Sequence, residues 1–160
     1  MERTRNIHWN DPTEGLSKAK GLSGLEYLLA MQNGQLHLPP LLDTLDFRLG
    51  SIEKGKVIFT FRPQEFHYNP IGTVHGGVIS AILDSAMGCT LHSILDAGVG
   101  YTTLELKVNF LKAITITQGE LKAIGKIIHA GSRTALVEAQ LTDDNQTIYA
   151  HGVSTCLILS

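Results

Sequence analysis

The sequence has little of what marks several classes of protein. Among its 160 residues there are only two cysteines, 18% of the residues are charged, and the net charge is −2. Two distant cysteines are not a disulfide framework, and so small a net charge does not attract nucleic acid or an anionic membrane. No stretch reaches the roughly 18 apolar residues of a membrane span, and residues 1–12 lack the apolar part of a secretory signal. We therefore expect a cytoplasmic protein with neither nucleic acid nor membrane as partner.

The composition is that of one globular domain. Apolar residues make up 43% of the chain, and 160 residues are enough to bury a sizeable core. We expect residues 1–14 to form an N-terminal arm and residues 15–160 to form a single domain.

The first half of the domain shows helical periodicity and one hairpin. Leucines at helical spacing predict a helix from about Ser17 to Gln32, which Asn33-Gly34 should end. Residues 45–49 and 56–61 are typical of two strands joined by a turn at 51–55. The stretch from Val78 to Leu95 is apolar on nearly every side, so it predicts a helix that is buried all round.

From Tyr101 onward the apolar period changes from 3.6 to 2. Thr102, Leu104, Leu106, Val108 and Phe110 alternate with polar residues, which predicts a half-buried strand. Further strands are expected at 121–129, 133–141 and 147–159, and their short connections favour antiparallel pairing. These features predict an α+β fold in which a curved antiparallel sheet wraps around the long central helix, with an extra N-terminal helix.

The segment before the central helix carries the strongest indication of chemistry. It runs Asn69-Pro70-Ile71-Gly72-Thr73-Val74-His75-Gly76-Gly77, and Asp84 follows two turns into the helix. Adjacent glycines at a helix start leave backbone N–H groups accessible, and the helix dipole adds partial positive charge. Such donors suit an oxygen that gains negative charge, and a carboxylate supplies a base or a nucleophile. Together they indicate acyl transfer to water.

The spacing of these two groups predicts a site shared between chains. Eight residues separate Gly76 from Asp84, which is about 12 Å at a rise of 1.5 Å per residue. A catalytic carboxylate must come within roughly 3 Å of its target. If both groups act on one acyl group, they must therefore come from two copies of the chain related by a two-fold axis.

Several motifs resemble one family. The chain is similar to the PaaI-like (phenylacetate-degradation type) hot-dog-fold acyl-CoA thioesterases in these blocks: Asn69-Pro70-x-Gly72-x-x-His75-Gly76-Gly77, Leu83-Asp84-Ser85-Ala86-x-Gly88, the stretch 101–111, Ala130-Gly131-Ser132-Arg133-Thr134, and Ala150-His151-Gly152. The resemblance extends from about Gly24 to the C-terminus. It implies hydrolysis of acyl-CoA without a cofactor or a metal, by a homo-oligomer that is a dimer or a dimer of dimers.

The resemblance also implies roles for single residues. Asp84 would activate water or attack the thioester, and the N–H of Gly76, with that of Gly77, would polarise the carbonyl. Asn69 would orient the substrate or water, and His75 would hold the loop or bind near the carbonyl. The hydroxyl from the next strand would be that of Thr103, with Thr102 beside it, and CoA would contact Gly131, Ser132, Arg133 and Thr134.

Other interpretations of the same residues stay open. Asp84 is also compatible with a paired structural acid, His75 with a helix cap, and Asn69 with turn initiation before Pro70. The histidines share no metal-like spacing. Two other functions compete with hydrolysis: a hot-dog hydratase or dehydratase, and an acyl-CoA-binding module without turnover.

Overall fold

The computed structural model describes residues 1–19 and 21–159. Within them the elements follow in this order: α1 (Pro12–Lys18), α2 (Gly24–Gln32), α3 (Pro40–Leu45), β1 (Phe47–Glu53), β2 (Lys56–Phe61), α4 (Gly76–His92), β3 (Gly100–Phe110), β4 (Leu121–Ala130), β5 (Thr134–Thr142) and β6 (Ile148–Leu159). A short 3₁₀ turn, Glu65–His67, precedes α4. No helix within the described ranges combines the length and apolar character needed to cross a membrane.

The strands form one antiparallel sheet in the order β1-β2-β4-β5-β6-β3. The sheet curves around α4, which contacts β2, β3, β4, β5 and β6. Ile82, Leu83, Ala86, Met87 and Leu91 of the helix are completely buried. The predicted α+β hot-dog architecture is therefore confirmed, and its central helix begins at Gly76 and ends at His92 where 78–95 was expected.

Small residues on the inner face of the central strands let α4 approach the sheet closely. Alanine or glycine occupies the inward positions Ala123, Gly125, Ala135, Ala139, Ala150 and Gly152, all of them buried. At Gly125 the approach is closest, because an added Cβ would lie 2.1 Å from Thr90 Oγ1 and 2.5 Å from the carbonyl oxygen of Ala86. Thr90 Oγ1 accepts a hydrogen bond from the N–H of Val57 at 3.1 Å, so the helix also satisfies a buried donor of β2.

A β-bulge in β3 overturns the predicted alternation. Thr103 pairs with Cys156, whereas Glu105 pairs with Thr155, so Leu104 is the extra residue. Thr102 and Leu104 are therefore exposed, although alternation placed them on the apolar side with Leu106. The Glu105 carboxylate accepts from the N–H of Thr155 at 3.0 Å, which satisfies a donor beside the bulge. The bulge turns Thr103 toward the helix.

The N-terminal segment contains three short helices where one was predicted from Ser17 to Gln32. The prediction of one helix over that range was wrong, because α2 begins afresh after Ser23, which caps it with a capping box. The N–H of Ser23 donates to the Glu26 carboxylate at 2.8 Å, and the Ser23 hydroxyl accepts from the N–H of Glu26. Gly21 has a φ of +91°, which also interrupts a helix. Lys20 of the predicted helix and Ser160 of the predicted domain lie outside the described residues.

The hairpin is longer than expected. β1 runs to Glu53 and β2 begins at Lys56, so the turn is Lys54-Gly55, with a φ of +80° at Gly55. The turn predicted at 51–55 was therefore too long, because residues 51–53 continue β1 beyond an irregularity between Leu49 and Ile52. Asp46 follows α3 in the left-handed conformation, and β1 begins at the next residue.

We expect Gly125→Ala to lower the free energy of unfolding by 2 kcal/mol or more, roughly the upper part of the range for overpacked cores, because the new methyl meets the backbone of α4. Urea denaturation measures this change. Gly119→Ala is the matched control, since nothing lies within 4 Å of its Cβ position. Equal stability of the two variants would contradict the close approach of α4 to β4.

Candidate active site

The loop that leads into α4 is anchored by a buried histidine. His67 is 2% exposed; its Nε2 is 2.9 Å from the carbonyl oxygen of Leu45, and its Nδ1 accepts from the N–H of Gln64 at 3.0 Å. Since Nδ1 accepts, Nε2 carries the proton and donates to Leu45. The carbonyl oxygen of His67 in turn accepts from the N–H of His75 at 2.8 Å. Through this backbone hydrogen bond, the buried His67 holds the start of α4 in place.

Asn69 organises the turn that follows. Its side-chain oxygen accepts from the N–H groups of Ile71 and Thr73, at 3.1 and 3.2 Å, and its amide nitrogen donates to Thr73 Oγ1 at 3.0 Å. The structure therefore gives Asn69 the turn-forming role that Asn before Pro indicates. One amide hydrogen of Asn69 is left for the predicted contact with substrate or water.

His75 is the N-cap of α4, and its Nδ1 accepts from the N–H of Gly77 at 2.8 Å. This hydrogen bond occupies the Gly77 donor, so the contribution predicted for Gly77 requires that bond to open. In the part of the chain that the structure describes, the N–H of Gly76 has no acceptor. Gly76 also allows the ring of Phe110 to come close, since an added Cβ would lie 3.1 Å from its Cζ.

Asp84 lies near the middle of α4, away from Asn69 and Gly76. Its Oδ1 accepts a hydrogen bond from Thr103 Oγ1 at 2.9 Å. Both residues line a cavity of about 220 Å³ whose other walls are mainly apolar: Met31, Leu38, Pro39, Leu41, Leu42, Leu49, Phe59, Ser85, Gly88, Cys89 and Tyr101. Among the described residues that line it, Asp84 is the one carboxylate. Thr103 is thus the hydroxyl that accompanies Asp84, whereas Thr102 faces outward.

The other titratable groups of this cavity remain neutral. Burial, and secondarily the nearby Asp84, raise the pKa of the Cys89 thiol to about 12. Burial also raises the pKa of Tyr101 well above its ordinary value. A thiol with so high a pKa is not a nucleophile at neutral pH. Asp84 is therefore the candidate base or nucleophile of the cavity.

The two halves of the predicted machinery do not meet within one chain. A separate cavity of about 300 Å³ is lined by Asn69, Gly76, Phe110 and Lys112 among others, and it shares no residue with the cavity of Asp84. Both halves are on α4, but eight residues apart. The structure brings Asp84 together with Thr103, and Asn69 with Gly76, as two separate half-sites. His75 caps α4 beside Gly76 but does not line either cavity.

The predicted CoA-binding residues lie in the turn between β4 and β5. Gly131, Ser132, Arg133 and Thr134 are exposed, and the N–H of Gly131 donates to the carbonyl oxygen of Thr134. Leu157 pairs with both Thr102 and Thr134, so these two threonines lie in one row on the outer face of the sheet. In the described residues no group of three or more His, Cys, Asp or Glu is placed to hold a metal ion.

Sequence analysis missed the walls of the Asp84 cavity. Tyr101 packs over Gly88, where an added Cβ would lie 2.6 Å from the tyrosine hydroxyl. A glycine in the middle of an apolar helix is a signal that could have revealed this contact. The walls from Met31 to Leu42 gave no comparable signal, because they are ordinary apolar residues of short helices and loops.

The comparisons with known proteins agree with this fold. Residues 71–150 match the model of the Thioesterase superfamily. The chain is 26% identical over 118 residues to the 1,4-dihydroxy-2-naphthoyl-CoA hydrolase of Listeria monocytogenes, a match that covers 74% of this chain and 93% of the relative. The chain belongs to the thioesterase superfamily.

Two solved structures are also similar. One is a phenylacetic acid degradation-related protein of Ralstonia eutropha, with a TM-score of 0.74, 24% identity, and coverage of 82% of this chain and 98% of that one. The other, from Streptococcus mutans and bound to acetyl-CoA, has a TM-score of 0.65, 29% identity, and coverage of 71% and 89%. The thioesterase family and the class of enzyme, a thioester hydrolase, are confirmed, and the fold is that of the PaaI-like proteins.

We expect the free energy of unfolding to fall as the pH is lowered from 7, because burial lowers the pKa of His67. Below pH 6.5, the ordinary pKa of histidine, His67 binds a proton in the unfolded chain but not in the folded chain. Stability is therefore lost as the pH falls, until the pH reaches the lowered pKa of His67 in the folded chain. This proton contributes a slope of up to about 1.4 kcal/mol per pH unit.

Urea denaturation between pH 7 and 5 measures the slope. His67→Gln should reduce it, whereas His8→Gln, which changes an exposed imidazole, should leave it as it is. An unchanged slope in His67→Gln would show that His67 takes up its proton in the folded state.

Proposed function

We propose that the protein hydrolyses acyl-CoA thioesters to a free acid and CoA at a site shared by two chains. The N–H of Gly76 from one chain polarises the thioester carbonyl, and Asp84 of the other chain acts on the carbonyl carbon. The observation that carries this proposal is that the free N–H of Gly76 and the Asp84–Thr103 pair line separate cavities on one helix.

The chemistry requires no further group. Asp84 attacks the carbonyl carbon, or removes a proton from a water that does so, and the carbonyl oxygen becomes an oxyanion. The N–H of Gly76 at the positive end of α4 stabilises that charge. The C–S bond then breaks, and CoA leaves as a thiolate that needs little help from an acid. Where water is the nucleophile, this step gives the free acid directly, and the proton taken by Asp84 passes to the thiolate or to solvent. Where Asp84 itself attacks, the step leaves a mixed anhydride on Asp84, and a water hydrolyses that anhydride to release the free acid and restore the carboxylate. Thr103 donates to Asp84 and holds the carboxylate in one orientation.

The register of β3 supports the shared site. Thr103 contacts Asp84 near one end of this strand, and the ring of Phe110 lies against Gly76 at the other. β3 is an edge strand of the sheet, so one row of its backbone groups has no partner within the chain. If two β3 edges pair antiparallel about the point between Leu106 and Lys107, Phe110 of one chain faces Thr103 of the other. Gly76 then comes beside Asp84 of the second chain, twice in each dimer.

Exposed apolar residues favour the same interface. Ile71, Phe110 and Leu111 are 84%, 55% and 56% exposed, and they lie at or beside the cavity of Gly76. Exposed apolar clusters of this kind mark interaction surfaces. We propose the dimer as the catalytic unit, either alone or within a dimer of dimers. The CoA-thioester substrate is supported by the names of two similar proteins, one a naphthoyl-CoA hydrolase and one bound to acetyl-CoA.

We expect wild-type protein to release free thiol from acyl-CoA, and Asp84→Asn to lower kcat about 10²–10⁴-fold, the range of a catalytic base. Thiol release is followed with a chromogenic disulfide on a panel of aromatic and aliphatic acyl-CoAs. Asp144→Asn, which changes an exposed acid that pairs with Lys122, is the control and should keep full activity. Turnover unaffected by Asp84→Asn would contradict the mechanism, and hydration of an enoyl-CoA without thiol release would favour a hydratase.

We expect two inactive variants to restore activity in a mixed dimer. Gly76→Pro removes the N–H donor, while proline is well tolerated at the first position of a helix, and the extended His75 (φ −64°, ψ 136°) suits a following proline. Gly76→Pro should lower kcat about 10²–10³-fold, whereas Gly76→Ala keeps the donor and most of the activity.

Co-expression of Gly76→Pro with Asp84→Asn should then recover about a quarter of wild-type activity. Half of the randomly formed dimers are mixed, and each mixed dimer contains one intact site and one doubly defective site. The recovered activity is measured on purified material whose mass is determined by sedimentation. If the mixture stays as inactive as its components, the site does not lie between chains.

A further inference from the structure

The cavity of Asp84 has a second polar feature on its wall, the hydroxyl of Tyr101. Tyr101 lies on β3 two residues before Thr103 and ahead of the bulge, so both side chains project from the same face of the strand. Thr103 donates to Asp84, whereas the ring of Tyr101 extends over Gly88, one turn further along α4. The Tyr101 hydroxyl is therefore the next polar group along the cavity from the Asp84–Thr103 pair.

The Tyr101 hydroxyl has no hydrogen-bond partner among the residues that the structure describes. The two other hydroxyls on the cavity wall are paired: Ser85 Oγ donates to the carbonyl oxygen of Ala81 at 2.8 Å, and Thr103 Oγ1 donates to Asp84. A largely buried tyrosine usually has a partner for its hydroxyl, because an unpaired hydroxyl in apolar surroundings costs free energy. This unused donor indicates that a ligand supplies the partner.

A ligand in the cavity can reach this hydroxyl. Within the described ranges, every side-chain nitrogen or oxygen that the protein encloses completely has a partner, so the unpaired oxygen of Tyr101 borders open space. Tyr101 is itself a wall of the cavity. Gly88 makes this position possible, since a Cβ at residue 88 would lie 2.6 Å from the hydroxyl oxygen and displace it.

The distance between Tyr101 and Asp84 sets where on a substrate the hydroxyl acts. One helical turn rises about 5.4 Å, so the hydroxyl lies roughly that far along α4 from Asp84. A hydrogen bond between two oxygens spans about 2.7 Å. The partner oxygen then lies roughly 4–6 Å from the carbon on which Asp84 acts, which corresponds to an oxygen on the fourth or fifth carbon of an acyl chain.

The rest of the cavity accepts a short hydrocarbon skeleton. Its volume is about 220 Å³, and its apolar walls include Leu38, Leu42 and Phe59. Because a cavity of about 150 Å³ holds a benzene molecule, an acyl group of about six carbons fits. Apolar walls bind such a skeleton whatever its substituents, so the Tyr101 hydroxyl is the group that distinguishes one acyl group from another of the same length.

We infer that Tyr101 determines which acyl group the enzyme prefers, because its hydroxyl donates a hydrogen bond to an oxygen on the fourth or fifth carbon of that group. This inference rests on the proposed function. Hydrocarbon acyl groups of the same length leave the hydroxyl unpaired and are disfavoured for that reason. The preferred substrate class is thus a short oxygenated acyl group, and Tyr101 is a specificity-determining residue that does not act on the thioester carbonyl.

The test compares hexanoyl-CoA with 4-oxohexanoyl-CoA and 5-oxohexanoyl-CoA, which carry one keto oxygen on the same chain. For the better keto substrate, wild type should show a kcat/KM about 10-fold above that for hexanoyl-CoA, the contribution of one hydrogen bond. Tyr101→Phe keeps the ring and should abolish this preference without lowering kcat/KM for hexanoyl-CoA. Tyr149→Phe is the matched control and should keep the preference, because the Tyr149 hydroxyl donates to Asp143 outside the cavity.

Urea denaturation of the same variants tests whether the Tyr101 hydroxyl is unpaired in the protein alone. Tyr101→Phe should unfold at the same urea concentration as wild type or at a higher one, since no hydrogen bond is lost. Tyr149→Phe loses the bond to Asp143 and should unfold at a lower concentration. A lower midpoint in Tyr101→Phe would show that the hydroxyl has a partner within the protein, and the inference would fail.

The outcomes separate the inference from the proposed function. If wild type hydrolyses all three substrates and Tyr101→Phe leaves their relative kcat/KM unchanged, the inference is wrong and the proposed function stands. A fall of kcat by the same factor for all three also overturns it, because the hydroxyl would then act at the reacting carbonyl. If wild type hydrolyses none of them, the proposed function fails. Calorimetry with the free keto acids then decides the role of Tyr101, and equal affinities of wild type and Tyr101→Phe overturn it.

Discussion

The fold depends on how closely α4 approaches the sheet that curves around it. A helix that is apolar on nearly every side needs a sheet surface on several sides, and the inner positions of β4, β5 and β6 supply that surface with glycine and alanine. At Gly125 even a methyl group would collide with the helix backbone. Because the helix is held so closely, its N-terminus and its middle have fixed positions, and both half-sites take their geometry from this contact.

The bulge at Leu104, on the edge strand β3, also shapes the Asp84 half-site, because it turns Thr103 toward Asp84. Without it, a strand that turns Leu106 and Val108 inward would also turn Thr102 and Leu104 inward, and Thr103 would face away from Asp84. The extra residue reverses this alternation at the level of Asp84. Ser154 donates to the carbonyl oxygen of Glu105, and the Glu105 side chain accepts from Thr155, so the polar groups beside the bulge are satisfied. Bulges commonly redirect a side chain in this way next to functional sites.

Much of the fold, and the sequence of candidate site residues along the chain, could be predicted, because both depend on local patterns of residues. The alternation after Tyr101, the apolar helix and the His-Gly-Gly at its start each leave a periodic or motif signal. The bulge does not, since it arises from pairing with β6. The capping box at Ser23 was visible in the sequence as Ser-x-x-Glu, but the leucine spacing on both sides of it concealed the break. The cavity walls from Met31 to Leu42 depend on tertiary contacts that no local pattern predicts.

The walls of the Asp84 cavity have a consequence for how such a protein can diversify. Met31, Leu38, Pro39, Leu41 and Leu42 belong to the segment that precedes β1, whereas the segment that matches the superfamily, residues 71–150, contains α4, β3, β4 and β5. Substitutions in the former change the size and shape of the cavity without altering the contacts between the helix and the central strands. The shape of the Asp84 cavity and the packing of α4 on the central strands thus depend largely on different parts of the chain, so successive mutations can alter one while the other is conserved.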